Sequence, residues 1–228
     1  TVTATDALGC SGSRGYTLSP VVTDFGDWNG SGAATTTTTS NRNTNLRLGL
    51  AVDAEASVTP NDAATADDTT NTGSADDEDG VTMPASITQR ASVTIPVSVF
   101  NNNTANRVLQ GWIDFNNNDI FDNNDVGAGG ERIYNTAVPA NAAQQTVNVT
   151  FTVPSGASPG TLRGVRFRFS DNAATTPISS GATGEIEDYT VTIACSTIAI
   201  TPATLPDAYL GQAYSQTLIA SNGTAPYT

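Results

Sequence analysis

The stretch SVTIPVSVF, residues 92–100, alternates apolar and small polar side chains along its whole length. A strand sends successive side chains to opposite faces, so Val93, Ile95, Val97 and Val99 fall on one side of a sheet. The same period returns in TVNVTFTV, residues 146–153, where Val147, Val149, Phe151 and Val153 align. GVRFRF, residues 164–169, sends Val165, Phe167 and Phe169 to the core and places Arg166 and Arg168 outward, and EDYTVTI, residues 187–193, aligns Tyr189, Val191 and Ile193. No window of comparable length carries an apolar stripe of helical period, and Gly, Asn, Ser and Pro fill the connections. The pattern predicts an all-β fold, an antiparallel two-sheet β-sandwich of jelly-roll-like kind. Pro96 cannot donate to a ladder, which predicts that its strand lies at a sheet edge, at a bulge or with the missing donor facing solvent. Residues 29–45, with TTTTT inside, and residues 57–80 carry few apolar side chains and many turn formers, so they read as long surface loops.

With 228 residues the chain is long enough to bury a sizeable core. Its 22 acidic residues face nine arginines and no lysine or histidine, a formal net charge of −13. Such a surface repels phosphate backbones, so neither nucleic acid nor anionic membrane is an expected partner. No apolar run approaches the roughly 18 residues of a membrane span, and the first ten residues, TVTATDALGC, lack the basic end and apolar core of a signal peptide. The missing histidine removes the usual general base, the usual zinc ligand and every Ser-His-Asp arrangement, so no enzymatic activity is expected. A lysine-free, Thr-rich and Asn-rich acidic chain fits an exported bacterial surface module, at the cell surface or outside the cell.

DFNNNDIFDNND, residues 114–125, packs nine Asp and Asn into twelve positions. Asp114, Asn116 and Asn118 stand at alternate places, Ile120 offers a backbone carbonyl, and Asp122 and Asp125 take the ninth and twelfth places. That is the oxygen spacing of a calcium-binding loop, except that Asp119 occupies the sixth place, where glycine normally makes the turn. Asn tolerates left-handed backbone and Asp somewhat less, so both a cation cradle and an Asn-rich turn remain open.

A second acid cluster, GEIED, opens the last alternating strand with Glu185, Glu187 and Asp188 around Ile186. It differs by one residue from the pentapeptide that names the GEVED domain. With DFGD at 24–27, LGLAVDAE at 48–55, DDEDGV at 76–81, GWIDFN at 111–116 and RFRFSD at 166–171, the segment from Asp24 to Ile193 resembles that family. The resemblance implies a noncatalytic β-sandwich module of secreted or surface proteins. It also implies that the Asp114–Asp125 loop and the acids Glu185, Glu187 and Asp188 form a fold-closing centre that holds a calcium ion (Ca2+). The physical idea is that the two segments meet and one divalent ion neutralises both.

The flanks resemble bacterial immunoglobulin-like repeats, residues 1–20 the close of one and residues 195–228 the opening of another, around a central domain at residues 21–194. By that resemblance Cys10 and Cys195 pair outside this stretch; a direct Cys10–Cys195 bridge and two lone thiols are the alternatives. The expected partners are neighbouring copies or adjacent modules, as in an extracellular filament. A carbohydrate-binding role is the alternative, with Trp28 rather than Trp112 as the ring that would stack on a surface glycan. Glu185 and Glu187 as a hydrolytic pair are a weaker third. Arg166 and Arg168 are expected to pair with carboxylates such as Glu187.

Overall fold

The computed structural model describes residues 1–16, 23–30, 39–52, 59–66, 78–223 and 226–227. Asp76 and Asp77, Thr35 to Thr38 of the threonine run, Asp53 to Glu55 and most of the 57–80 loop lie outside the described residues. In chain order the strands are β1 (Val2–Thr5), β2 (Ser11–Arg14), β3 (Thr23–Phe25), β4 (Thr39–Asn41), β5 (Leu46–Leu48), β6 (Ser86–Thr88) and β7 (Ser92–Asn101). They continue as β8 (Arg107–Ile113), β9 (Arg132–Val138), β10 (Asn141–Thr152), β11 (Gly160–Ser170), β12 (Ala182–Ala194), β13 (Ala199–Thr201) and β14 (Ile219–Ser221).

Two sheets make the sandwich: β10-β7-β5 on one side, and β3-β4-β12-β11-β8-β9 with β6 beside β12 on the other. The pairings are antiparallel, apart from two short parallel ones that β12 makes with β4 and β6. The core is supplied by the alternating positions. Ile95, Val97, Val99, Val149 and Phe151 of the smaller sheet meet Leu109, Val165, Phe167, Phe169 and Ile193 of the larger, all buried. Each such side chain contributes about 1.5–3 kcal/mol when removed from water, which makes this interface the main source of stability. By contrast β1-β2 and β13-β14 are separate two-stranded sheets whose residues are almost wholly exposed.

Pro96 lies in the middle strand of the smaller sheet rather than at its edge. Its tolerance there is local: on the side away from β10, β5 pairs only with residues 99–101, and below that the neighbour is the Gly80–Thr82 segment. The Pro96 carbonyl accepts the Thr82 N–H, and the side chain itself is exposed.

Two of the three arginines of β11 depart most from expectation. Arg166 and Arg168 are fully buried, because the outer face of the larger sheet is itself covered. A third layer of irregular chain does this: Pro177 accepts Arg166 Nη1 at 2.8 Å, while Thr176 and Ser179 carbonyls accept Arg168 Nη1 at 3.1 and 2.6 Å. Trp28 completes the cover, lying so close on Gly164 that a Cβ there would run into its indole.

Cys10 and Cys195 are free, exposed thiols, so the direct bridge between them is not formed.

Candidate functional site

Two clusters of oxygens stand out, and they occupy different places. The first is built on β12, where alternation splits the GEIED acids between the two faces of the sheet. Register sets Asp188 across from Arg166, and Glu187 and Glu185 across from Phe167 and Phe169. Asp188 therefore faces the covered outer layer, while Glu185 and Glu187 face the inside of the sandwich.

On the outer face, Asp188 takes Arg166 in a two-pronged ion pair, Nε to Oδ1 at 2.7 Å and Nη2 to Oδ2 at 2.5 Å. The Trp28 N–H donates to the same Oδ2 at 2.9 Å. Asp24 of β3 accepts the Ile186 N–H at 2.7 Å. Burial alone would draw the Arg166 guanidinium down, but Asp188 beside it, with Asp27 and Glu78 nearby, holds it above its ordinary range. Arg168 is pushed down to about 10 by burial and by the Arg166 charge, against the opposing pull of Asp24 and Asp188.

On the inner face, Glu185 Oε2 accepts the Leu48 N–H of β5. Glu187 accepts the Gly80 N–H at 2.9 Å and the Tyr189 hydroxyl at 3.0 Å. Burial and the Glu187 charge drive the Tyr189 hydroxyl well above its usual value, so it stays protonated and donates. Gly49 and Gly80 come together at this point, and Asp79 accepts the Leu50 N–H at 2.8 Å. The stretches DFGD, LGL, EDGV, RFRF and GEIED are thus drawn onto one strand. Their acids meet the Arg166 guanidinium and a set of backbone amides.

The second cluster is the loop after β8. Asp114 Oδ1 accepts the N–H of Asn117 at 2.7 Å and of Asn118 at 3.3 Å, and Oδ2 accepts that of Asp119 at 3.1 Å. Asn116 and Asn118 each accept the N–H two residues on, the Asx turns that their side chains favour. Asn117 and Asp119 take positive φ, 59° and 61°, so Asp119 adopts the left-handed backbone for which glycine is usual.

Glu131 closes this loop, a residue that the twelve-position spacing passes over. Its Oε1 accepts the N–H of Phe115 at 2.9 Å and of Asn116 at 3.2 Å, and its Oε2 accepts that of Asp122 at 2.9 Å. The chain reaches it through a 3-10 turn at Val126–Ala128 and two glycines. A Cβ on Gly130 would strike the Asn124 carbonyl. Asp125, expected at the twelfth place, instead turns out to Arg132 at 2.7 Å, which holds its carboxyl below the usual range. Ile120 is 44% exposed.

Asp114 and Glu131 are both buried, and burial pushes both carboxyls up, Glu131 to about 7. Carboxylate oxygens have lone pairs beyond those taken by three amides. A hard divalent cation suits this donor set, two buried carboxylates without a cationic partner beside Asn116 and Asn118 amide oxygens. Among the described residues, no group of three or more His, Cys, Asp or Glu side chains gathers in an arrangement that could hold a metal. Any such site here draws on amide and carbonyl oxygens as well.

The expectation of a single ion shared by both segments does not match this geometry. Ile113 lies across from Val165, and Val165 from Tyr189, so Asp114 stands five residues along the sheet and two strands across from Glu185. At strand spacings that is on the order of 20 Å, against metal-oxygen distances of about 2.3–2.6 Å. The loop is linked to the GEIED segment through intermediaries: Phe121 packs on Trp28 with centroids 4.7 Å apart and its ring centre lies 5.6 Å from the Arg166 guanidinium carbon, and Trp28 and Arg166 both bond Asp188. Trp112 Nε1 ties the loop back by donating to Asn123 at 3.2 Å.

Two further expectations change. Trp28 is 2% exposed and belongs to the cluster with Ala64, Trp112 and Phe121, so it offers no ring to a sugar. Glu185 and Glu187 share a face but are each 1% exposed and bound to backbone or Tyr189, which removes them as an accessible acid-base pair.

Comparison with known proteins agrees with the motifs GWIDFN, RFRFSD and GEIED. Residues 108–192, from β8 through GEIED into the later part of β12, match the GEVED domain. No curated protein matches the chain. Among solved structures, the CARDB domain of a Pyrococcus furiosus protein, crystallised in complex with di-metal ions, aligns with a TM-score of 0.30 and 8% identity over 50% of this chain and 88% of that one.

Proposed function

We propose that this chain is a noncatalytic structural module of an extracellular surface protein, locked by one calcium ion in the loop that runs from Asp114 to Glu131. The GEVED match over residues 108–192 and the acidic, lysine-free composition support the module. The observation that carries the ion is the pair of buried carboxylates, Asp114 and Glu131, converging on one loop with no cationic side chain to offset them. Asn116, Asn118 and the Ile120 carbonyl complete the donor set. The ion supplies positive charge; the chain's own residues hold the loop against Trp28 and so cover the buried Arg166–Asp188 pair. Exposed apolar side chains on both flanks, among them Leu8, Tyr209 and Leu210, support contact with adjacent modules or neighbouring copies.

The test is thermal unfolding with calcium and with chelator, across pH. Folding raises the Glu131 pKa from 4.5 to about 7, so the metal-free folded state holds a proton there that the unfolded chain has lost. Stability then falls as pH rises from about 4.5 to about 7, by up to about 3 kcal/mol from this group, and Asp114 acts in the same direction. Calcium favours the ionised form. Its stabilising effect is expected to be large at pH 7.5 and small at pH 5. A melting temperature that chelator leaves unmoved at pH 7.5 would contradict the calcium lock.

A further inference from the structure

The flanking segments meet the larger sheet near the two ends of one strand, β12, the first through the edge strand β3 and the second directly. On the N-terminal side the chain comes in through β3, which pairs with β4, and β4 pairs with Ala182 and Thr183, the first residues of β12. On the C-terminal side it leaves at Ala194, the last residue of β12. The line between the two points of attachment therefore runs along β12, which spans thirteen residues in the middle of the larger sheet.

That direction matters because ladder hydrogen bonds lie across the strands. A lengthwise pull on β12 must slide it past β11, against which eight consecutive residue pairs are in register, and past β6, which pairs with Thr192 to Ala194. Bonds loaded in this way are strained together, whereas a pull that opens one end breaks them in turn.

The buried polar layer adds ties across the same line. Asp24 fastens the incoming segment to Ile186 N–H, and Trp28 N–H fastens it to Asp188, which Arg166 anchors to β11. The outgoing end is held as well. Gln89 accepts Ser196 N–H at 3.2 Å and donates to the Ala157 carbonyl at 2.7 Å, and Arg90 reaches the Gly223 carbonyl at 3.1 Å.

The geometry points to a mechanical function: the module resists tension between its flanks, with β12 as the strut and the Asp24, Trp28, Asp188 and Arg166 contacts as the clamp. This rests on the structural-module assignment but not on the calcium, so the pH and chelator experiment and the one below fail independently.

Single-molecule force spectroscopy on the full chain decides it, with two attachment geometries. One pulls from the two chain ends. The other unzips, through the exposed native Cys195 and an exposed Thr161→Cys thiol near the start of β11, in a Cys10→Ser background. End-to-end pulling is expected to need several-fold more force than unzipping. Asp24→Ala is expected to raise the unfolding rate at constant end-to-end force by about tenfold or more, since forced unfolding follows the unfolding rate. Equal forces in the two geometries would overturn the mechanical role, whether or not the Asp24 variant folds.

Discussion

Replacing Asp188 by alanine is expected to cost the folded state about 3–5 kcal/mol, the range for removing one partner of a buried ion pair. The change takes the two-pronged partner from the Arg166 guanidinium, which is fully buried and keeps the Pro177 carbonyl as an acceptor, and it removes the acceptor of the Trp28 N–H. Trp28 also carries Phe121, so the loop after β8 loosens along with the outer layer. Urea unfolding of the single variant and of the double variant Arg166→Met, Asp188→Leu separates charge from packing. The apolar pair is expected to recover much of the loss, because it leaves no uncompensated charge. A loss below about 1 kcal/mol for Asp188→Ala would mean that water reaches Arg166 and that this layer is not the closure described above.

Gly184→Ala is expected to cost roughly 3 kcal/mol or more, by a different route. Gly184 leads the GEIED segment with φ at 148°, a backbone conformation that a residue with a side chain rarely adopts. A Cβ there would press into the Phe169 carbonyl, which is backbone of the partner strand and cannot step aside. Strain and overpacking each contribute about 1–3 kcal/mol. The consequence should be directional: β12 shifts at its start, where Glu185 meets Leu48 and Ile186 meets Asp24. Thermal unfolding reads the loss. An unchanged melting temperature would show that β12 begins in another conformation.

Much of this fold was legible before any coordinates, because one face of each long strand is apolar and the period is two. The inward sets of β7, β10 and β11 follow directly from that alternation. What alternation cannot show is whether the other face meets water. Arg166 and Arg168 occupy the positions of solvent-facing residues, but segments near Trp28 and Thr175–Ser179 lie over them, and irregular chain carries no period to announce that it will cover a sheet. Trp28 was misplaced for the same reason. Pro96 signals an edge, yet edges are local, and the neighbour of β7 thins out at just that height.

The loop shows the complementary limit. The turn at Asp119 was legible, since left-handed backbone is accessible to Asp and Asn. Its closing carboxylate was not, because a twelve-residue template ends at Asp125 while the acid that returns into the loop lies beyond a 3-10 turn and the Gly129–Gly130 pair. A glutamate immediately after two glycines and before an alternating strand is the signal that would have found it. The GEIED acids stand together in sequence, but alternation sends them to two faces, where they meet an arginine of the neighbouring strand and backbone amides, which no spacing encodes.

The most direct measurement is calorimetric titration of chelator-treated protein with calcium at pH 7.5, comparing the unaltered chain with Glu131→Gln. One site is expected, with binding weakened by tenfold or more in the variant, while Glu187→Gln leaves the affinity unchanged because that residue serves Gly80 and Tyr189 instead. No heat of binding in the unaltered chain, or equal binding by Glu131→Gln, would contradict a calcium-locked loop.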